Sequence, residues 1–257
     1  MADDNTGLTG KKVFFLHPSV FVQNEVIAGL AQQEYEVYAA REESKLQRVL
    51  GKYPDSVVFA SIDEVLGADK WEAWIRTVME NAVTKTVSIG ILSSANTAAA
   101  RQLYLDVLHV PCGFLSLKSD VSKLMTALLE VLRAAEAKGR RKYIRADTRG
   151  ETMTTVNLSL KDGRYITGDI RDISVVGFSC VFSEFVELAK NSLFSDMQIK
   201  LQSALIKAEG IVFGSRMENN NKVYVFVFTY KVDFTVKAKI RAYIQKNLQA
   251  KMDAELK

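Results

Sequence analysis

The chain has 257 residues, of which 48% are hydrophobic and 25% charged, a composition typical of a water-soluble chain that builds one large core or two modest ones. No long apolar run occurs, and the first residues are polar and partly acidic, which argues against a membrane-spanning helix or a secretory signal there. We therefore expect a cytoplasmic protein with no membrane insertion. Cys112 and Cys180 each lie in an apolar run and are expected to be buried thiols.

Charge is distributed unevenly along the chain. The overall charge of +4 combines −4 over residues 1–137 with +8 over residues 138–257. This asymmetry suggests that the second half meets an anion, and charge alone leaves nucleic acid, a membrane surface and a small phosphorylated ligand as candidates. We predict two domains, over residues 10–137 and 138–257.

Short apolar runs alternate with amphipathic helical patterns in the first half. Strands rich in Val, Ile and Phe that alternate with helices are typical of a parallel sheet covered on both faces, so we predict a (βα)5 doubly wound α/β domain. The predicted strands are 11–17, 35–40, 56–61, 86–94 and 113–117, and the predicted helices are 19–34, 43–52, 69–81, 96–108 and 119–137.

The order and size of these elements resemble a response-regulator receiver domain, but its motifs are incomplete. A receiver holds Mg²⁺ with acidic residues after its first strand, where this chain has Leu16-His17-Pro18. Asp63 could be the phosphoacceptor only if the third strand ran two residues beyond its apolar pattern. Ser93 or Ser94, and Lys118, fall where a receiver keeps its hydroxyl and its lysine. We therefore expect a degenerate receiver-like domain that contacts other proteins.

Catalytic and metal-binding patterns are missing from the first half. His17 and His109, the only histidines, have no cysteine, second histidine or carboxylate at ligand spacing. The sequence there contains no glycine-rich phosphate loop and no nucleophile motif. We predict that the protein is not an enzyme and has no metal site.

The second half changes to a strand pattern. Lys161-Asp162-Gly163 between two β-rich runs indicates a hairpin, because glycine tolerates the positive φ of such turns. Several antiparallel strands without crossover helices close most economically as a small β-barrel, and a C-terminal helix follows. The predicted strands lie in 151–160, 164–171, 176–182, 197–217 and 221–230, and 183–192 has a helical pattern.

Two motifs bracket the first hairpin of this half. Arg140, Arg141, Lys142 and Arg145 place four cations within six residues, and Asp172-x-Ser174-x-x-Gly177 begins 27 residues after Arg145. Arg141-x-x-x-Arg145 followed by this second motif resembles the signature of the PilZ domain, the bacterial receptor for cyclic di-GMP. The resemblance covers about residues 139–245.

The resemblance implies a six-stranded PilZ barrel, a role in signal transduction and cyclic di-GMP as the bound nucleotide. In that family a long basic side chain just ahead of the arginine motif is associated with two stacked ligands, so Arg140 implies two molecules per chain. The implied ligand-binding residues are Arg140, Arg141, Arg145, Asp172, Ser174 and Gly177.

The chemistry of these side chains suits cyclic di-GMP. Arginine forks match phosphates or the O6 and N7 edge of guanine, and Asp172 can accept from guanine N1–H and N2–H2. Ser174 offers a hydroxyl, and Gly177 leaves room beneath the ligand. The alternatives are a local turn at Asp172-x-Ser174 and a solvated basic linker. Nucleic acid is disfavoured, because exposed aromatics do not alternate regularly with Lys and Arg.

The order of the elements suggests how a bound ligand would act. The arginine motif follows the predicted helix 119–137, so a ligand that also touched the barrel would reorient the N-terminal domain for a downstream protein partner, with Gly139 as the hinge. The alternative function is a response regulator phosphorylated at Asp63, with a basic output domain that binds nucleic acid or protein.

The C-terminal helix carries an apolar stripe with four-residue spacing. Val236, Ile240, Ile244 and Leu248 should cover the barrel. The continuation through Met252 and Leu256 outruns a small barrel, so this end either frays or contacts a partner helix, as in a homo-oligomer.

Overall fold

The computed structural model describes residues 9–63 and 65–257 and divides the chain into two compact units. The first unit comprises the described residues up to Lys142 together with Gln249–Lys257, and the second comprises Tyr143–Leu248. The predicted division left residues 249–257 in the second domain, whereas the structure groups them with the first unit. The described residues contain no helix that is both long and apolar enough to cross a bilayer.

A five-stranded parallel sheet forms the centre of the first unit, with strand order β2-β1-β3-β4-β5. Strand β1 lies inside the sheet and is fully buried, and it pairs in register with both β2 and β3. The β-branched and aromatic residues of these strands are buried on both faces, as a sheet covered by helices requires. The strands are β1 Val13–Leu16, β2 Val37–Ala40, β3 Val57–Ser61, β4 Ser88–Ser93 and β5 Phe114–Ser116.

Five helices alternate with these strands, and two of them contain π-helical turns. Leu128 and Leu132 of the last helix pack with Phe15 and Phe59 of the sheet in one buried cluster. The predicted (βα)5 α/β architecture is confirmed. The helices are α1 (π-helical Val22–Ile27 continuing as Ala28–Gln32), α2 Glu43–Leu50, α3 Ala68–Glu80, α4 (Ala98–Arg101 continuing as π-helical Gln102–Val107) and α5 Val121–Ala134.

The second unit is a closed antiparallel barrel of six strands, and a seventh, short strand, β6, pairs with β8 outside the barrel. Neighbouring strands pair in the order β8-β7-β10-β11-β12-β9, and β9 pairs back to β8 and closes the barrel. Closure leaves the six strands without a free edge, and it confirms the predicted small barrel. The strands are β6 Ala146–Asp147, β7 Thr154–Ser159, β8 Tyr165–Ser174, β9 Gly177–Phe182, β10 Leu193–Leu201, β11 Ala204–Glu218 and β12 Asn221–Phe228.

The segment 183–192 is not helical, so the helical pattern there gave a wrong prediction. Its backbone is held by a buried side chain from the barrel: the Tyr224 hydroxyl donates to the Val186 carbonyl at 2.6 Å and accepts from the Leu188 amide at 3.3 Å. Asn191 has a φ of 65°, a left-handed conformation that a helix cannot contain. These contacts with the barrel override the weak helical propensity.

Helix α6 (Phe234–Glu255) follows the barrel. Ile240 and Ile244 are buried in the barrel core, and Val236 and Leu248 pack against it, which confirms the predicted apolar stripe. The last turns are grouped with the first unit, where Gln249 exchanges two hydrogen bonds of 2.9 Å with the backbone of Ala39. Met252 is 2% exposed. The continuation of the stripe at Met252 is therefore covered within the chain.

Candidate functional site

The second motif forms the tight turn between strands β8 and β9. Ser174 is the last residue of β8 and pairs directly with Gly177, the first residue of β9. The Ser174 hydroxyl donates to the Gly177 carbonyl at 3.1 Å and accepts from the Val176 amide at 3.4 Å. Ser174 is 3% exposed, and both of these hydroxyl contacts lie within the turn.

Gly177 is needed where strand β9 approaches strand β12. A Cβ atom at this position would lie 2.1 Å from the carbonyl oxygen of Phe226, far inside van der Waals contact. The close approach of β9 and β12 therefore excludes any side chain here. The structure gives this glycine a packing role in addition to the ligand-facing role expected from the sequence.

Asp172 lies at an irregularity in strand β8, where the register with β9 shifts between Ile170 and Asp172. Its carboxylate accepts from the Arg145 guanidinium at 3.1 Å, and its other oxygen accepts from the Ser179 hydroxyl. About a quarter of the Asp172 side chain and half of the Arg145 side chain are exposed. The structure therefore brings one residue of each motif together at an open surface of the barrel.

The backbone on either side of this ion pair is also fixed. Arg145 immediately precedes strand β6, in which Asp147 pairs with Asp172 of β8. The Arg149 Nε atom in turn donates to both carboxylate oxygens of Asp147 at 3.0 Å. The Thr148 hydroxyl is buried and donates to the Ile170 carbonyl at 2.5 Å. Arg145 therefore extends from a segment tied to the barrel.

The remaining predicted residues of the basic segment belong to the first unit. Arg140 lines a cavity there, and Arg141 is exposed and forms no ion pair with any residue that the structure describes. Gly139 is packed tightly, because a Cβ atom on it would lie 2.4 Å from the backbone nitrogen of Gly10. Close backbone approach is thus one reason for a glycine at this position.

At the carboxyl edge of the sheet in the first unit, two serine hydroxyls surround the carboxylate of Asp63. Asp63 lies two residues beyond the end of β3 and accepts from the Ser93 hydroxyl at 2.5 Å and from the Ser94 hydroxyl at 2.6 Å. Burial raises the pKa of Asp63, but the hydrogen bonds from both serines lower it, and the net pKa lies below its ordinary value. Lys118 is exposed. Among the described residues, no group of three His, Cys, Asp or Glu side chains could hold a metal.

Solved structures match this chain over about half of its length. The PilZ domain with c-di-GMP of YcgR from Escherichia coli is 16% identical over 44% of this chain and 98% of that chain, with a TM-score of 0.38. The K. pneumonia MrkH–c-di-GMP complex is 18% identical over 46% of this chain and 56% of that chain, with a TM-score of 0.37. A response regulator from Desulfuromonas acetoxidans is 14% identical over 48% of this chain and 98% of that chain, with a TM-score of 0.39. No protein-family model and no curated protein matches the sequence.

Sequence reasoning missed Ser179, whose hydroxyl binds the Asp172 carboxylate. Pairing in an antiparallel hairpin is fixed by its turn, so a two-residue turn at Val175-Val176 places Ser179 directly opposite Asp172. The turn was not recognised in the sequence, because its two valines differ from the glycine and asparagine that usually occupy two-residue hairpin turns.

Proposed function

We propose that this chain is a non-enzymatic receptor for cyclic di-GMP. The observation that carries the proposal is the 3.1 Å ion pair between Arg145 and Asp172, one residue from each motif, at a partly exposed surface of the barrel. A pair of opposite charges left open to solvent contributes little to stability, about 0–1 kcal/mol, so stability alone gives little reason for it. Other exposed pairs, such as Arg164–Asp162, also occur in the barrel, so what favours ligand recognition here is that this pair joins the two motifs.

The pair offers donors and acceptors that suit a guanine nucleotide. The Arg145 guanidinium has five N–H donors, of which the Asp172 contact uses one, so its fork can also address a phosphate or the O6 and N7 edge of guanine. The Asp172 carboxylate has about four lone-pair positions, and Arg145 and Ser179 use two. The remaining positions can accept from guanine N1–H and N2–H2. Adenine presents no such pair of donors.

Arg140, Arg141, Ser174 and Gly177 complete the proposed ligand-binding set in different ways. The two arginines supply further guanidinium groups to the phosphates, and Arg140 is the residue that would admit a second ligand molecule. Ser174 and Gly177 hold the β8–β9 turn in the shape that presents Asp172. A titration end point of two ligands per chain is expected, and an end point of one would remove the role of Arg140.

The proposed output is a change in how the first unit is presented to a downstream protein. Arg140 and Arg141 precede the division between the units at Lys142, whereas Arg145 and Asp172 follow it. A ligand that contacted Arg140 or Arg141 as well as Arg145 and Asp172 would therefore fix the segment that joins the two units. The resulting reorientation of the first unit would signal that the ligand is bound.

Point variants test the assignment of the site. Arg145→Ala should weaken cyclic di-GMP binding by about 2–4 kcal/mol, because a charge-assisted fork is lost. Asp172→Ala should weaken it too, and should reduce the preference for cyclic di-GMP over cyclic di-AMP. Arg164→Ala is the matched control, since this exposed arginine of the barrel pairs with Asp162 on the β7–β8 hairpin. If Arg145→Ala bound like the control, the assignment would be wrong.

The second candidate function is a response regulator phosphorylated at Asp63, with a basic output domain. The observation in its favour is that Ser93 and Ser94 converge on this carboxylate at the carboxyl edge of the sheet. Incubation with beryllofluoride and Mg²⁺ tests it. Saturable binding that is lost in Asp63→Asn would support this function, while no response is the result that the receptor proposal expects.

A further inference from the structure

The first unit contains a cavity of about 810 Å³ at the amino edge of its parallel sheet. Its wall is formed by the segments that precede β1 and β3, Tyr35, and the end of α5 with the residues that follow it. Ligand pockets for small molecules have volumes of about 300–1,000 Å³. Bound ligands of open α/β sheets usually lie at the opposite, carboxyl edge, so neither the fold nor the Asp63 cluster accounts for this cavity.

Cations outnumber carboxylates on the cavity wall. Six Lys and Arg side chains line it, against the carboxylates of Asp55 and Glu136. Two of the cations are neutralised, since Lys12 pairs with Glu36 and Lys52 Nζ lies 3.4 Å from Glu255. The other four form no ion pair with any residue in the described part of the chain, and they are Lys11, Arg133, Lys138 and Arg140. The cavity therefore favours an anionic occupant.

The inner wall of the cavity is apolar and aromatic. Leu132 is fully buried, and Tyr35 is 3% exposed. Lys138 Nζ lies 4.8 Å from the centre of the Tyr35 ring, and Lys12 Nζ lies 4.7 Å from the centre of the Tyr53 ring. Cationic groups thus stand beside apolar surface, an arrangement that suits a ligand with one charged end and one flat, hydrophobic end.

The rim of the cavity is fixed by backbone contacts. The Lys11 amide donates to the Ala137 carbonyl at 2.9 Å, which ties the start of β1 to the residues after α5. Gly10 belongs to the same close approach, because a Cβ atom on it would lie 2.4 Å from that carbonyl oxygen. The cationic side chains therefore extend from a built wall and not from a loose linker.

We propose that this cavity binds a small organic anion in which a phosphate is joined to an aromatic ring, the chemistry of a nucleoside monophosphate. Arg133 and Lys11 would contact the phosphate through charge-assisted hydrogen bonds, and the ring would lie against the half-buried Tyr53. The site lies entirely within the first unit and does not rest on the proposed cyclic di-GMP site. A chain with both sites would respond to two different phosphorylated signals.

Calorimetric titration of the full chain with adenosine 5′-monophosphate and uridine 5′-monophosphate tests this inference, since neither carries guanine. Saturable binding of at least one of them is expected, with adenosine and inorganic phosphate each binding at least about tenfold more weakly. Arg133→Gln and Lys11→Gln should each reduce the affinity about tenfold or more. Arg48→Gln is the matched control, because Arg48 is exposed on α2 of the same unit and lies outside the cavity wall.

Three results would overturn the inference: no saturable binding of either nucleotide up to about 1 mM, equal affinity for inorganic phosphate, or equal losses in Arg133→Gln and Arg48→Gln. Arg140 is left unchanged, since it is also assigned to cyclic di-GMP. Arg133→Gln should still bind cyclic di-GMP, and Arg145→Ala should still bind the two monophosphates. These two variants therefore separate the two sites. Failure of one site in these titrations leaves the result for the other intact.

Discussion

Individual residues of the two motifs have different roles: some hold the β8–β9 turn, and others lie at the surface of the barrel. Asp172 and Arg145 meet at the surface, as the proposed contact with cyclic di-GMP requires, whereas Ser174 and Gly177 are buried in the turn. The sequence could indicate that these residues act together, because their spacing matches a known signature. It could not indicate which of them would be buried, since burial depends on the approach of strand β12 from a distant part of the chain.

Gly177 gives a test of this division. Gly177→Ala should destabilise the barrel by about 3 kcal/mol, because the added Cβ atom would meet the Phe226 carbonyl. Gly214→Ala in strand β11 is the matched control, since a Cβ atom there meets nothing within 4 Å, and its effect should stay within about 0.5 kcal/mol. Urea unfolding monitored by circular dichroism measures both, and equal stabilities would contradict the packing role.

At the scale of elements, apolar patterns located the strands well. Each of the five predicted strands of the first half overlaps a strand of the sheet, because a buried parallel strand is a continuous apolar run that few other structures produce. The segment 183–192 was predicted wrongly, since its conformation depends on one hydroxyl of Tyr224 that no local pattern encodes. Strand β6 was also missed, because two residues are too few to form a pattern.

Helix α6 is fastened to the barrel by a polar cluster as well as by its apolar stripe. The Tyr243 hydroxyl donates to Glu151 at 2.8 Å and lies 3.1 Å from the Thr154 hydroxyl. Tyr243→Phe should therefore cost about 1–2 kcal/mol of unfolding free energy, because Glu151 and Thr154 lose a partner. Tyr165→Phe is the control, since Tyr165 is 71% exposed. Thermal melts that placed both variants together would refute this role.

The same tyrosine predicts a pH dependence. Burial raises the pKa of Tyr243 to about 12, with the Thr154 hydrogen bond lowering it and Glu151 raising it. An unfolded tyrosine has a pKa of about 10, so the stabilisation from Tyr243 is present below pH 10 and is lost as the pH rises towards 12. The stability difference between the wild type and Tyr243→Phe should therefore shrink over that window in urea titrations. A constant difference would contradict the raised pKa.

For the whole molecule, the proposed signal passes through the joint between the two units. Residues 136–147 should gain hydrogen-exchange protection when cyclic di-GMP binds, because the cations of this segment repel one another until phosphates offset their charge. Residues 68–80 of helix α3 serve as the internal control and should not change. Unchanged protection of 136–147 at saturating ligand would contradict the reorientation and leave the binding site intact.

The charge difference between the two halves, −4 against +8, was the first reason to expect an anionic ligand, and the paired motifs are the reason that we propose a guanine dinucleotide. The basic cavity of the first unit was invisible to the same reasoning, because its wall comes from segments before β1, before β3 and after α5. Only folding brings these segments to one edge of the sheet. Because the first half has a net negative charge, its charge alone gives no indication of a basic cavity.

Calorimetric titration of the full-length wild-type chain with cyclic di-GMP tests the receptor proposal most directly. We expect saturable binding with a dissociation constant of about 1 μM or below, and binding of cyclic di-AMP weaker by about tenfold or more. The absence of any saturable heat up to about 100 μM cyclic di-GMP, with a chain shown to be folded by circular dichroism, would contradict the account.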